Sequence, residues 1–264
     1  NQNTDLRKYS IQYKTELIDS IIPFWLNNSK DNLCGGYFTC LNRYGKVYDT
    51  DKFMWLQGRE VWLFSMIYNR IEKNAEWLAM AKHGALFMEK YGMDDEGNWY
   101  FSLTRDGKPL IQPYNIFSDC FAAMAFSELY KADMNPKYKA IALNTFNNII
   151  KRQSNPKGKY NKAYPGTRPL KGFSLPMILC NLSLIMEDIL GAEYVNSSIT
   201  PLISEVMVIF YDEESGLILE NVTPEGYFSD SYEGRLLNPG HTNEAMWFMM
   251  DLAMRMNDRD LIDK

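Results

Sequence analysis

Phe53-Met54-Trp55-Leu56-Gln57-Gly58-Arg59-Glu60-Val61-Trp62-Leu63-Phe64-Ser65-Met66-Ile67-Tyr68 is apolar on almost every side of the helix that its periodicity predicts. Ala245 to Met256 reads the same way, with Trp247, Phe248 and a methionine run (Met246, Met249, Met250, Met254, Met256) expected to pack as core. A helix that is hydrophobic all round has to be buried on most sides. An inner ring of helices inside an outer ring provides that environment, whereas an open solenoid leaves more two-sided helices. The two runs therefore favour an all-α, closed toroid of helical hairpins.

Working outward, apolar periodicity predicts helices over 5–26, 51–70, 74–91, 115–132, 136–152, 172–190, 198–212 and 239–257. Asp51, Ser118 and Asn238 are the expected N-caps. Pro239 follows Asn238 at the first helical position, where a missing N–H costs nothing. Short β-hairpin patterns sit between helix pairs. Gly35-Gly36-Tyr37-Phe38-Thr39-Cys40-Leu41 precedes a turn around Tyr44-Gly45-Lys46. Asn98-Trp99-Tyr100-Phe101-Ser102-Leu103 precedes Arg105-Asp106-Gly107-Lys108. Leu217-Ile218-Leu219-Glu220 precedes Thr223-Pro224-Glu225-Gly226. The first two lie about 60 residues apart and the third roughly twice as far again, which suggests a repeated helix–hairpin–helix unit within a single domain, 1–264.

Composition narrows the class. With 46% hydrophobic and 14% aromatic residues the chain can bury a core and is not a disordered one. A net charge of −5 gives no basic footprint for nucleic acid. No apolar run reaches the roughly 18 residues that cross a membrane. Asn1-Gln2-Asn3-Thr4-Asp5 lacks the charged and apolar regions of a signal peptide, so a cytoplasmic location is expected. Cys34, Cys40, Cys120 and Cys180 are scattered and read as reduced, packed thiols. His83 and His241 are the only histidines, so a His-rich metal site is excluded and no metal is expected.

His241 is the sharpest chemical signal. In Arg235-Leu236-Leu237-Asn238-Pro239-Gly240-His241-Thr242-Asn243-Glu244 it falls in the first turn of a helix. Unpaired N–H groups and the positive end of the helix dipole disfavour imidazolium there and keep the ring neutral, as a general base requires. Glu244 shares its face and can take a proton, orient the imidazole or hold a sugar hydroxyl. The plainer alternative is a capping histidine beside a solvated glutamate. Arg59 is second: a guanidinium in an apolar helix needs a protein carboxylate, such as Glu60, or a ligand. Trp55, one turn earlier, offers an aromatic plane suited to a sugar ring, or is simple core.

The longest irregular stretch, Ser154 to Lys171, contains Lys159, Lys162, Gly166, Thr167 and Arg168. Its glycines, cations and hydroxyl can bind phosphate, although it is not a Walker A motif and reads equally as a solvated basic loop. His83 reads as structural, and Asp119 as a dipole partner in the first turn of its helix.

Taken together, the Gly35–Leu41 segment, Trp55-Leu56-Gln57-Gly58-Arg59 and Asn238-Pro239-Gly240-His241-x-x-Glu244 resemble, in the same order, the N-acylglucosamine 2-epimerases, also described as renin-binding proteins. The resemblance runs through essentially the whole chain. It implies an (α/α)6 toroid and reversible conversion of N-acetyl-D-glucosamine to N-acetyl-D-mannosamine through an enediolate-like intermediate formed at C2 of the ring-opened sugar. It makes His241 one acid/base, gives Glu244 a supporting or hydroxyl-binding role, and has Arg59 steady the developing oxyanion. Trp55, Tyr37 and Arg235 are then the expected substrate contacts. The Pro165-Gly166-Thr167-Arg168-Pro169-Leu170 loop resembles a segment proposed to bind ATP as an effector that is not consumed. A homodimer is common for such folds.

The chain departs from the family in two places. The toroid needs twelve helices and eight are predicted, so by this comparison the chain ends mid-toroid at Asp260-Leu261-Ile262-Asp263-Lys264. The family's second catalytic histidine would lie beyond it, and weak or no activity is expected from these residues alone. Phe173-Ser174-Leu175-Pro176-Met177-Ile178 also lacks the Asn/His-bearing motif of cellobiose 2-epimerases and aldose–ketose isomerases, which favours the N-acyl amino sugar branch. The other readings are a related epimerase or isomerase of an unacetylated sugar, a non-catalytic carbohydrate- or protein-binding module, and a glycoside hydrolase. The last needs two carboxylates across a cavity, and no such pair stands out.

Overall fold

Every helix expected from apolar periodicity forms, but several begin or end where tertiary pairing, not periodicity, decides. The computed structural model describes residues 2–264, so Asn1 of the N-terminal segment lies outside the described residues. The chain divides into one compact unit running to Asn148 and another from Ile149.

In the first unit, α1 (Gln2–Glu16) passes through a wider π-helical turn, Leu17–Ile21, into α2 (Ile22–Asn28). There follow β1 (Cys40–Leu41), β2 (Val47–Asp49), β3 (Lys52–Phe53), α3 (Met54–Arg70), α4 (Ala75–Tyr91), β4 (Ser102–Leu103), β5 (Pro109–Ile111), α5 (Ile116–Asp133) and α6 (Pro136–Arg152), which continues into the second unit. β1 and β2 form one antiparallel hairpin, and β3, β4 and β5 a three-stranded antiparallel sheet in that order. Because Lys52 and Phe53 pair with Leu103 and Ser102, α3 starts at Met54 and not at 51. Asp51 therefore does not cap it; the cap is Phe53, in extended conformation and without a side-chain bond. Ser118 is likewise not a cap. Asn115 is, accepting from the Phe117 N–H, and Ser118 is buried one turn into α5.

α3 packs along both α4 and α5, with Val61, Phe64 and Ile67 wholly buried. Burial of each such side chain stabilises the fold by roughly 1.5–3 kcal/mol. Gly58 sets the α3–α5 approach: a Cβ there would lie 2.9 Å from the Phe121 carbonyl carbon. The loop before β1 is pinned to α3 by a two-way amide clasp. The Tyr37 N–H donates to Gln57 Oε1 at 2.9 Å, and Gln57 Nε2 donates to the Tyr37 carbonyl at 2.8 Å. Gly36 makes the clasp possible, since it takes φ +68 and a Cβ would stand 2.7 Å from Gln57 Oε1.

The second unit contains a tight helical turn at Gly158–Tyr160, then β6 (Lys171–Gly172), α7 (Ser174–Ile185), α8 (Glu187–Leu190) and α9 (Ala192–Ser204). α9 widens into a π-helical segment, Glu205–Phe210, followed by β7 (Tyr211–Asp212), β8 (Leu217–Ile218), β9 (Asn221–Val222), α10 (Pro239–Met256) and α11 (Arg259–Asp263). α7 packs on α9 and α10. The expected hairpin after Leu217 is corrected. Leu217-Ile218 pairs backward with Tyr211-Asp212, through a turn that the Asp212 carboxylate and Gly216 (φ +69) close. Asn221-Val222 pairs with β6 instead. Thr223–Gly226 still makes a tight turn, but no strand follows it.

α10 is two-sided, not buried all round. Ala245, Phe248, Met249, Leu252 and Ala253 face the core, while Trp247 is 54% and Met254 68% exposed. Of the methionines read as core, only Met249 is buried; Met250, Met254 and Met256 are exposed. Its last turn is fixed by Arg255, whose Nε donates to Glu187 Oε2 at 2.9 Å.

Candidate active site

Asn238 and Pro239 start α10 as the sequence reads. Asn238 is extended, its Oδ1 accepts from the His241 N–H at 3.2 Å, and Pro239 opens the helix. The imidazole is thereby delivered from the first turn, with its backbone fixed on both sides. Its orientation comes from Glu220, a residue the sequence reading assigned only to a strand. His241 Nδ1 lies 3.0 Å from both Glu220 Oε1 and Oε2. Glu220 is nearly buried, and its backbone is held because its carbonyl accepts from the Phe173 N–H at 2.9 Å. The His241 side chain is 34% exposed, and Nε2 has no partner among the described residues.

An ionised carboxylate can only accept, so the ring nitrogen facing it is the donor, and in the neutral ring of that tautomer Nε2 carries the lone pair. Asn238 caps the helix through the His241 backbone N–H, and the ring is engaged separately by Glu220. The signal for Glu220 was present: a lone acid ending the apolar run Leu217-Ile218-Leu219 must find a partner when buried. Its identity was not, because the two residues lie 21 apart. Glu244 is half-buried and makes no hydrogen bond to the imidazole. Arg235 is exposed and pairs locally, NH1 to Asp230 Oδ1 at 2.9 Å.

In the first unit, Arg59 is exposed on α3 and has no carboxylate partner among the described residues. The expected pair with Glu60 does not form, since Glu60 faces inward and accepts from the Ser29 hydroxyl. The guanidinium instead lies 5.7 Å from the Trp55 ring and 5.0 Å from Phe121, an α5 residue the sequence reading did not single out. A cation held by two aromatic faces, with its donors unspent, is fitted to receive an oxygen-bearing ligand.

Tyr37 corrects the expectation of a sugar contact. It is wholly buried and donates its hydroxyl to the Met80 carbonyl at 2.7 Å, so it has no surface to offer. Gly84 makes room for its ring: a Cβ there would come within 2.2 Å of Tyr37 Cε2. His83 is structural, with Nε2 3.0 Å from the Gly36 carbonyl, and burial pushes its pKa down. Asp119 is buried near the start of α5, its Oδ1 3.5 Å from the Trp99 N–H. The four cysteines are free, and burial pushes the Cys180 thiol up to about 12. Lys159, Lys162, Gly166, Thr167 and Arg168 are all exposed, and Arg168 lies 3.9 Å from Glu233. Among the described residues no three His, Cys, Asp or Glu side chains converge as a metal site. No helix among them is long and apolar enough to cross a membrane.

The family model described as N-acylglucosamine 2-epimerase matches residues 36–264. The chain belongs to the N-acylglucosamine 2-epimerase family. N-acylglucosamine 2-epimerase of Rattus norvegicus is 35% identical over 263 residues, covering 94% of this chain and 61% of that protein. The Homo sapiens N-acylglucosamine 2-epimerase is 32% identical over 252 residues, covering 92% of this chain and 58% of that one. The chain thus spans about three-fifths of the length of these relatives. The structure of cellobiose 2-epimerase from Bacillus thermoamylovorans B4167 superposes with a TM-score of 0.83 at 20% identity, over 97% of this chain and 70% of that one. That likeness gives this member of the N-acylglucosamine 2-epimerase family its fold, the α/α-toroid class expected from its sequence.

Proposed function

We propose that this chain carries the C2 proton-transfer machinery of an enzyme that interconverts N-acetyl-D-glucosamine and N-acetyl-D-mannosamine. The observation that carries the reading is the His241 imidazole, set at a helix start and hydrogen-bonded through Nδ1 to a nearly buried carboxylate. Family membership supports the same reaction and the same class of sugar.

In the ring-opened sugar the C2–H bond breaks and its proton passes to His241 Nε2. The bonding pair becomes the C1–C2 double bond, and the carbonyl pair moves to O1, giving an enolate that keeps its acetamido group on C2. Arg59 is proposed to hold the oxygen on which charge gathers, with Trp55 stacking on the sugar. Glu244, which does not orient the imidazole, is left to hold a hydroxyl. Arg235 contacts substrate only by leaving Asp230, an exposed pair of little energetic worth. Return of the proton to the same face restores the starting sugar, and return to the opposite face inverts C2. His83, whose Nε2 stands on the Gly36 carbonyl, is not proposed as the second carrier.

Proton NMR of the 264-residue chain with N-acetyl-D-mannosamine in D2O tests this reading. The expected result is loss of the C2–H signal, abolished in His241→Ala. One base suffices for exchange with retention, so exchange is read separately from inversion. A folded chain that exchanges nothing overturns the reading.

We also propose ATP as an effector, bound and not consumed by the exposed loop bearing Lys159, Lys162, Gly166, Thr167 and Arg168. Supporting this, Gly166 takes the left-handed φ +78 that anion-binding backbone turns use, and Lys159 and Lys162 of the same loop are exposed. A rise in melting temperature with ATP, lost in Lys159→Ala/Lys162→Ala, is the expected outcome; no rise removes the proposal. The homodimer expected for such folds is checked by light scattering, and the cytoplasmic location by cell fractionation.

A further inference from the structure

We infer that Glu220 is a positioning residue, whose carboxylate holds the His241 Nδ1–H so that Nε2 is the atom presented to substrate. The inference rests on the proton-transfer reading above and names the group that makes it work. Three observations carry it. Both carboxylate oxygens stand 3.0 Å from Nδ1, so the ring nitrogen is centred on the carboxylate and not on one oxygen. Glu220 has no other side-chain partner among the described residues, although it is nearly buried. A buried carboxylate with a single, partly exposed partner is poor stabilisation, because desolvation outweighs much of the attraction. A fold gains little from such a pair, so its use lies in what it does to the imidazole. Finally, the two backbones are fixed independently: Asn238 and Pro239 hold His241, and the Phe173 N–H holds the Glu220 carbonyl. The imidazole's remaining freedom is rotation about its own bonds, and that is what the carboxylate removes.

The hold also selects the tautomer. An acceptor-only group on Nδ1 excludes the Nε2–H neutral ring, which could not take a proton from C2 through Nε2. When Nε2 is protonated, the same carboxylate faces the imidazolium that results, so one residue orients the base and stabilises its conjugate acid. Glu244, three residues along the same helix, has no hydrogen bond to the ring and cannot substitute.

The experiment uses the full 264-residue chain with 15N-labelled histidine. With only two histidines, His241→Ala assigns the ring signals. Wild type is expected to show His241 protonated at Nδ1 and bare at Nε2. In Glu220→Gln the amide N–H can donate to Nδ1, so the Nε2–H tautomer is expected to appear. The C2–H exchange rate constant is expected to drop on the order of 10²-fold or more, with little change in KM. Glu220→Asp, which keeps the charge on a shorter arm, should recover part of the rate. Melting curves confirm that each variant is folded. A wild-type ring that is not protonated at Nδ1, or a wild-type rate in Glu220→Gln, overturns the inference. If wild type itself exchanges nothing, the reaction reading falls, and the ring-nitrogen spectra alone decide whether Glu220 sets the tautomer.

Discussion

Lys52 and Asp31 are both fully buried and pair at 3.0 Å. Asp31 also receives Arg105, Nε on one oxygen at 2.9 Å and NH2 on the other at 3.0 Å, and the N–H groups of Leu33 and Cys34. Burial alone would push the Asp31 carboxyl up; the bonds from Arg105, Lys52, Cys34 and Leu33 prevail and hold it well below the usual carboxylate range. The cluster thus locks the loop that presents Tyr37 to Gln57.

Asp31→Asn is expected to destabilise the protein by about 3–5 kcal/mol near neutral pH, since it strands the buried Lys52 ammonium. Because the native carboxyl titrates below its unfolded value, its stabilisation is present above the unfolded value and disappears on acidification. Urea unfolding should therefore show the deficit at neutral pH and its narrowing toward acid. An equal deficit at all pH values would mean that shape, not charge, explains the loss.

Glu60 has the opposite linkage. Burial pushes its carboxyl from 4.5 up to about 8, against the hydrogen bond from Ser29. Between those values the folded chain keeps a proton that the unfolded chain has lost, so stability declines as pH rises through that window. Glu60→Gln keeps a neutral group of the same shape. It is expected to flatten the decline, so that wild type falls behind the variant on approach to pH 8. Urea midpoints measured at both ends of the window check this, and parallel curves would sink it.

Features that depend on neighbours along the chain are legible in the sequence itself. Asn238, Pro239 and the helix they open are local chemistry, and so is the turn at Asp106-Gly107. Features that depend on a partner across the fold are not. An aromatic after two glycines reads alike whether it faces a sugar or a helix; only Gly84, on α4, shows that Tyr37 goes inward. Arg59 is placed on its helix by pattern alone, yet its aromatic cradle needs Phe121 from α5. α10 departs from its expected burial for another reason. Methionine and tryptophan count as apolar in a pattern, but within these residues Trp247 and Met254 are exposed while Ala245, Phe248, Met249, Leu252 and Ala253 pack inward.

Gly58 tests the packing that builds the cradle. Replacing glycine by alanine inside a helix gains roughly 1 kcal/mol of helix propensity. Here the added methyl meets the Phe121 carbonyl at 2.9 Å and the Ala122 nitrogen at 3.2 Å, and backbone cannot swing aside as a side chain can. Overpacking of this kind costs about 1–3 kcal/mol. Gly58→Ala is therefore expected to lower net stability, with the loss read from thermal or urea unfolding. A neutral or stabilised variant would show that α3 and α5 approach less closely than 2.9 Å implies.

Arg59 separates a ligand-binding cation from a structural one. It is exposed, and its contacts are the Trp55 and Phe121 rings, so Arg59→Ala should cost the fold no more than about 1 kcal/mol. If it holds the developing oxyanion, the same change should slow C2–H exchange by roughly 10²- to 10³-fold. Arg59→Lys keeps the charge but loses the planar fork and its stacking, and should restore only part of the rate. Measuring melting and exchange on the same samples decides the matter. A large loss of stability with exchange unchanged would make Arg59 a packing residue. The reverse pattern, with Lys falling between Arg and Ala, is what an oxyanion contact predicts, because charge alone would let Lys recover the full rate.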